Sequence, residues 1–124
     1  MNKLITNNPL AAKRYHDFEI DFVQAPAREV LRCVRDLVHL GHVLLSHPLS
    51  SGVPPKDNPY KSVFISTAEG PLDMDSLRII EGAVGAYKNS AANFDINPTA
   101  ARDFMIIDCE MISQAARKLT GLSL

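Results

Sequence analysis

The sequence predicts a small three-layer α/β domain in which helices flank a mainly parallel, four-stranded sheet. The predicted elements follow the order β-α-β-α-β-β-α-α, and helical crossovers of this kind are how parallel strands are connected. The runs at 3–5 and 43–45 are almost continuously apolar, as expected for strands covered by helices on both faces. A length of 124 residues fits a single domain over residues 1–124.

The composition excludes several classes of protein. Apolar residues make up 46% of the chain and charged residues 22%, which is typical of folded soluble domains. The net charge of −1 favours neither nucleic acid nor an anionic membrane as a partner. The chain shows neither an 18-residue apolar run nor the apolar core of a signal peptide, so we expect a cytoplasmic protein. Cys33 and Cys109 lie far apart in predicted helices, and we expect two buried free thiols.

The first predicted elements form a strand, a helix and a second strand. Residues 3–6 form a short apolar run that ends at two asparagines, where Asn8 can cap a helix that begins at Pro9 and extends to about Tyr15. Residues 18–23 alternate apolar and acidic side chains, a pattern typical of an edge strand with one face in solvent.

The second predicted helix opens at Pro26 and ends at Gly41, a position that favours a left-handed backbone. Its apolar stripe consists of Val30, Leu31, Val34, Leu37 and Val38. Another face carries Arg28, Arg32 and Arg35. These arginines can gather an anionic partner, although Glu29 and Asp36 partly cancel their charge, and a solvated helix face is the simpler interpretation.

The middle of the chain is predicted to hold two further strands and a long loop. Residues 43–46 form the third strand, and residues 62–66 form the fourth, whose direction the sequence leaves open. Between them, residues 47–61 contain four of the eight prolines. These prolines restrict the backbone and predict a stiff, ordered loop, a type of segment that often carries function.

Two helices complete the prediction. The third helix is capped by Asp73 or Asp75 and extends to about Lys88. Gly82 and Gly85 each cost this helix about 1 kcal/mol relative to alanine, so we expect close packing at these positions. A long final helix over 98–119 presents a broad apolar surface, suited to the domain core or to a homodimer interface.

The candidate ligand site lies where the carboxyl ends of the first and third predicted strands meet, since ligands of open parallel sheets settle at that edge. Amide groups and hydroxyls there would favour a small anionic ligand. The same residues are also ordinary turn and capping residues, an interpretation that stays open. The candidate ligand-binding residues are Thr6, Asn7, Asn8, Ser46, His47, Ser50, Ser51, Lys56, Tyr60 and Lys61.

A catalytic alternative makes His47 a general base acting on Ser50 or Ser51, as in a small hydrolase or transferase. The chain lacks a GxSxG elbow and an assigned carboxylate partner. His42 and His47 flank a predicted strand and would lie roughly 16 Å apart, which excludes one metal site shared by both. Neither GxGxxG nor GxxxxGK[ST] occurs, so we predict neither a metal nor a cofactor.

Several strings of the chain resemble the GrdX family. They are Ile5-Thr6-Asn7-Asn8-Pro9-Leu10, Arg35-Asp36-Leu37-Val38-His39, Gly41-His42, Leu44-Leu45, His47-Pro48-Leu49-Ser50 and Asn58-Pro59-Tyr60-Lys61-Ser62-Val63. The resemblance covers residues 4–66 well and the 77–87 helix loosely, and it departs at Ser51, where the family pattern places glycine. Members are small proteins encoded with the glycine, sarcosine and betaine reductase systems of anaerobic bacteria. The resemblance therefore implies a cytoplasmic protein with an accessory role.

Taken together, these observations favour a binding protein over an enzyme and predict an accessory protein that binds a small anionic metabolite or a reductase component. The alternatives are the His47-dependent hydrolase or transferase and a structural protein that acts as a homodimer through its final helix.

Overall fold

The computed structural model describes residues 2–48, 58–87 and 97–120. Their strands and helices are β1 (Asn2–Thr6), α1 (Pro9–Arg14), β2 (Glu19–Phe22), α2 (Ala27–His39), β3 (Ser62–Ser66), α3 (Met74–Tyr87), α4 (Pro98–Met111) and α5 (Ser113–Thr120). The strands form one sheet in the order β2-β1-β3. Helices α2 and α3 cover one face, and α1, α4 and α5 cover the other. The mixed α/β class and its helix-covered sheet are thus confirmed.

The sheet is mixed rather than mainly parallel. Strand β1 runs parallel to β2 and antiparallel to β3, so Thr6 pairs with Phe22 on one side and with Ser62 on the other. The predicted four-stranded parallel sheet is therefore wrong, and the fourth predicted strand, β3, is antiparallel to its neighbour.

The predicted third strand, residues 43–46, forms only one isolated bridge, between Leu44 and Ile65. Side-chain hydroxyls take the place of part of its ladder. The Val43 N–H donates to Ser66 Oγ, and Ser46 Oγ accepts from the Phe64 N–H. Hydroxyls that bond to the backbone compete with regular ladders in this way.

The face covered by α2 and α3 is built from small and branched aliphatic side chains. Alternation along the strands turns Ile5, Val63 and Ile65 toward this face. The predicted stripe of α2 packs against them through Val30, Leu31, Val34 and Val38, all of which are fully buried.

The opposite face contains larger side chains. The same alternation turns Leu4 and Phe64 toward α1, α4 and α5. Phe64 meets the rings of Tyr15 at 6.0 Å and Phe18 at 4.7 Å between centroids. Aromatic pairs at these distances add attraction beyond the area they bury.

Two helix termini match the sequence pattern closely. Asn8 caps α1 ahead of Pro9, and Asp73 accepts from the Ser76 N–H at the start of α3. After α2, Gly41 adopts a φ of +106°, and a Cβ built there would lie 2.0 Å from the carbonyl oxygen of Gly70. Only glycine satisfies both the left-handed backbone and this close approach.

Three further expectations are wrong. The final helix is not continuous, because α4 ends before Ile112, where the Ser113 hydroxyl donates to the Glu110 carbonyl. Cys33 is exposed because it lies off the buried stripe of α2, whereas Cys109 is buried as expected. A Cβ at Gly82 or Gly85 would meet no described atom within 4 Å, so close packing does not require either glycine.

The proline-rich segment at 47–61 and the segment at 89–96 fall largely outside the described residues. Within the described part of the chain, no helix combines the length and the apolar character needed to cross a bilayer.

Candidate functional site

A buried chain of hydrogen bonds lies at the carboxyl end of β1. Because Thr6 and Ser62 are paired in register, their side chains lie on the same face of the sheet as Leu4 and Phe64. Their hydroxyl oxygens are 2.7 Å apart, and Ser62 Oγ lies 2.6 Å from Asp108 Oδ2 on α4. Since a hydroxyl has one proton to donate, Ser62 donates to the Asp108 carboxylate and Thr6 donates to Ser62.

Asn8 joins this chain to helices α1 and α4. Its side-chain oxygen accepts from the Leu10 and Ala11 N–H groups and thereby caps α1. Its Nδ2 donates to Asp108 Oδ2 at 2.9 Å and to the Met105 carbonyl at 3.0 Å. The first amides of α1 are therefore bonded to Asn8, and the side chain also holds α4 against the strand end.

Asp108 is the buried charge of this cluster, with only 4% of its surface exposed. Burial raises the pKa of Asp108 above its usual 3.8, while hydrogen bonds from Ser62 and Asn8 and the nearby positive charge of Lys61 act in the opposite direction. Both Ser62 and Asn8 donate to Asp108 Oδ2, and a carboxylate buried to this extent has little access to a substrate.

Asn7 fastens the neighbouring loops to the strand end. Its Nδ2 donates to the carbonyls of Ala25 and Pro59, both at 2.9 Å, and its Oδ1 accepts from the Lys61 N–H at 2.8 Å. Asn58 acts similarly. Its Oδ1 accepts from the Tyr60 N–H, and its Nδ2 donates to the Phe104 carbonyl. These two asparagines fix the segments that follow β2 and precede β3.

A cleft opens beside this cluster, at the carboxyl ends of the parallel strands β1 and β2. Its volume is about 410 Å³, and its described lining consists of Asn7, Pro9, Phe22, Gln24, Ala25, Pro26 and Tyr60. None of these residues is charged. Phe22 has 46% of its surface exposed, although alternation along the sequence placed it on the buried side of β2. The cleft is therefore a mostly apolar space whose lining includes two side-chain amides, those of Asn7 and Gln24.

The family model described as "GrdX: GrdX-like protein" matches residues 3–117. The chain belongs to this family. The match extends beyond the strings before residue 66 and includes α4 and most of α5, the helices that supply and support Asp108. No curated protein and no solved structure shows a significant match to the chain.

The structure of this GrdX-like protein brings five of the predicted ligand-binding residues together. Thr6, Asn7, Asn8, Tyr60 and Lys61 are all buried at the carboxyl end of β1. Of these, Asn7 and Tyr60 line the cleft. Ser50, Ser51 and Lys56 lie outside the described residues.

Ser46 and His47 reach the same edge of the sheet by another route. Leu44 pairs with Ile65 while Thr6 pairs with Ser62, so residues 43–46 run parallel to β1 with β3 between them. Two strand spacings, about 10 Å, then separate the two carboxyl ends. His47 itself is exposed. The role of His47 as a general base stays a prediction, because its intended partners Ser50 and Ser51 are not described.

Two of the other three histidines, His42 and His39, make contacts within the protein. His42 is buried, and its Nδ1–H donates to the Ser66 carbonyl at 2.8 Å. His39 contacts Glu81 at 3.2 Å on the protein surface. Within residues 2–48, 58–87 and 97–120, no group of three or more potential ligands is placed to hold a metal ion.

Sequence reasoning missed Ser62, Asp108, Phe22 and Gln24. Ser62 had been assigned only to a strand, and Asp108 lies within the apolar pattern of the final helix. A lone acidic residue at a position flanked by Ile107 and Cys109 was the one available signal of a buried polar contact.

Proposed function

We propose that this GrdX-like protein is an accessory protein of glycine, sarcosine and betaine reductase systems, and that it binds a small N-methylated glycine carboxylate in the cleft at the ends of β1 and β2. The observation that carries the proposal is the position of the cleft. In sheets with parallel strands, ligands bind beyond the carboxyl ends of those strands. A volume of about 410 Å³ lies in the range of small-molecule sites.

The lining of the cleft supports an N-methylated ligand. Phe22 and Tyr60 contribute aromatic rings, and Pro9, Ala25 and Pro26 contribute apolar surface. Aromatic rings attract methylated ammonium groups through their electron-rich faces. The Gln24 side chain can donate a hydrogen bond to the carboxylate end of the same molecule.

Binding is favoured over catalysis because of where the polar groups point. The hydrogen-bonding groups of Asn7 and Asn8 are occupied by the protein itself, and Asp108 is enclosed beneath them. These residues give the cleft a rigid wall. Pre-organised walls reduce the entropy lost when a ligand binds.

Calorimetric titration with betaine, sarcosine and glycine tests the proposal. We expect affinity to fall in that order, because each lost methyl group removes contact with the aromatic rings. Phe22→Ala is expected to weaken betaine binding by about three- to tenfold. Leu72→Ala is the matched control, since Leu72 is 45% exposed and does not line the cleft.

The proposal fails if none of the three compounds binds, or if Phe22→Ala and Leu72→Ala change betaine affinity equally. Circular dichroism on both variants ensures that a loss of binding is not a loss of folding.

A second candidate function is docking onto a reductase component through β2. This strand lies at the edge of the described sheet, and Glu19, Asp21 and Phe22 are exposed along it. Exposed strand edges accept a further strand from a partner. The Val23 N–H donates to the Thr6 carbonyl, so alternation turns the Ile20 N–H toward the open edge. Ile20→Pro removes that edge-facing donor, so it should abolish co-purification with the reductase components while leaving betaine binding intact.

A further inference from the structure

A second cavity lies between α2 and α3, away from the strand-end cleft. Its volume is about 490 Å³, and its described lining is Arg28, Arg32, Arg35, Glu81, Val84 and Gly85. The three arginines are spaced i, i+4 and i+7, so they project from one face of α2. The lining therefore brings three guanidinium groups to one small cavity.

Internal ion pairs neutralise only part of this charge. Arg32 contacts Glu29 at 2.6 Å. Arg28 and Arg35 form no ion pair with any described residue. Glu81, the one acidic residue in the lining, contacts His39 Nε2 at 3.2 Å. Glu29 and Asp36 lie beside the cavity on α2, but the lining itself sets three arginines against one carboxylate, so the lining keeps net positive charge.

The glycines of α3 provide an independent observation. Glycine in a helix interior is less favourable than alanine, and it is usually explained by close packing. At Gly85, which lines the cavity, a Cβ would meet no described atom within 4 Å. The packing of the domain therefore does not require glycine there, whereas a group that enters the cavity would benefit from the missing side chain.

We propose that this cavity is an anion-binding site for the phosphoryl group of a small molecule. A planar guanidinium matches two oxygens of a phosphoryl group at once, and its charge does not change with pH. Arg28 and Arg35, which form no ion pair with a described residue, supply two guanidinium forks. Arg32 adds charge between them, and Gly85 leaves room on the α3 side. A carboxylate offers one negative charge to the same groups, so it binds more weakly than a phosphoryl dianion.

The experiment is a titration of inorganic phosphate and pyrophosphate into the full chain, followed by two-dimensional NMR at constant ionic strength set with chloride. We expect shifts of the amides around Arg28, Arg35 and Gly85, with acetate binding more weakly than phosphate. The double variant Arg28→Gln/Arg35→Gln should weaken phosphate binding by about tenfold or more. Arg78→Gln is the matched control, because Arg78 is an exposed arginine of α3 outside the cavity.

A pair of glycine variants separates ligand binding from folding. Gly82→Ala and Gly85→Ala are both expected to raise the midpoint of thermal unfolding by about 2–6 °C, since each removes a helix-interior glycine without a clash. Only Gly85→Ala should also weaken phosphate binding, by about threefold, because only Gly85 lines the cavity.

The proposal is overturned if phosphate and pyrophosphate produce no saturable shifts up to about 10 mM. It is equally overturned if the double arginine variant and Arg78→Gln weaken phosphate binding to the same extent. That result would indicate non-specific electrostatic attraction of phosphate rather than a defined site. Failure of betaine binding at the strand-end cleft would leave this result unaffected, since the two cavities share no residue.

Discussion

The two faces of the sheet are stabilised by different physical means. The face under α2 and α3 is a continuous core of aliphatic side chains and alanines. The face under α1, α4 and α5 combines aromatic pairs with the buried chain of Thr6, Ser62, Asn8 and Asp108 at one end. The stability of the first face depends on side chains that fill the core volume, while that of the second depends on specific hydrogen-bond partners. The strand-end cleft lies beside the second kind of packing, where the polar chain fixes the end of β1.

The largest loss of stability is expected from a substitution in the aliphatic face. Leu31→Ala removes a fully buried side chain and should lower the free energy of unfolding by about 3–5 kcal/mol, through lost burial and the cavity left behind. This loss should be the same at pH 5 and pH 7, because no titratable group belongs to that core. Urea denaturation at both pH values measures it. Leu40→Ala, at a residue 59% exposed just after α2, should change stability by less than about 0.5 kcal/mol.

Asn8→Asp should break the polar face. Aspartate caps a helix as well as asparagine does, but here it would place a second carboxylate against Asp108 in a buried site. We expect a loss of about 2–4 kcal/mol at pH 7. The loss should shrink as the pH falls toward 4, where one of the two carboxyl groups takes up a proton.

Asn97→Asp is the matched control for that variant. Asn97 also caps a helix that begins with proline, and it is exposed. Its replacement should change stability by less than about 0.5 kcal/mol at either pH. Equal losses for both variants would show that Asp108 does not distinguish the two caps.

Asp108→Asn sharpens the comparison through its pH dependence. The pKa of Asp108 is raised in the folded state, so the folded protein binds this proton more tightly than the unfolded chain does. The stabilisation from that proton is complete below the ordinary carboxyl pKa of 3.8 and is lost as the pH rises through the higher folded value. The variant lacks this loss, so its stability relative to the natural protein should improve with rising pH, by at most about 1.4 kcal/mol per pH unit.

Denaturant titrations of both proteins from pH 4 to pH 8 measure this difference. The stability difference between the two proteins could instead stay constant, or change in favour of the natural protein as the pH rises. Either result would mean that burial does not raise the pKa of Asp108.

The smallest perturbation is chemical labelling, which compares the two faces without a substitution. Burial raises the pKa of Cys109 to about 11, so its thiolate fraction at pH 8 is roughly a thousandth. Cys33 on α2 is exposed, although burial and acidic neighbours raise its pKa as well. A disulfide reagent should therefore modify Cys33 first and Cys109 only on local opening of the second face. Asn8→Asp should speed the second reaction but not the first.

The sequence predicted features that depend on residues close together in the chain and missed contacts between residues far apart in it. The stripe of α2, the Asn8 cap before Pro9 and the left-handed Gly41 depend on neighbours within a few residues, and the sequence predicted each one. The bond between Asn8 and Asp108 joins residues 100 positions apart, and that between Ser62 and Asp108 joins residues 46 apart. Periodicity carries no information about such pairs, so the polar chain was missed.

The same reason explains the errors in the sheet. Residues 43–46 have an apolar strand pattern, but the hydroxyls of Ser46 and Ser66 take over backbone bonds that a ladder would make. Phe22 alternates with acidic residues as a core residue would, yet its ring is 46% exposed to solvent among the described residues and lines the cleft instead. In both cases the local pattern was present and the tertiary partner decided the outcome.

An NMR titration with betaine on the isotope-labelled chain tests the proposed function most directly. We expect saturable shifts of the backbone amides of Phe22, Gln24, Ala25 and Tyr60, which surround the cleft. In Phe22→Ala the remaining shifts should reach half-saturation at an about three- to tenfold higher betaine concentration. Saturable shifts confined to other parts of the chain, or none at all, would contradict it.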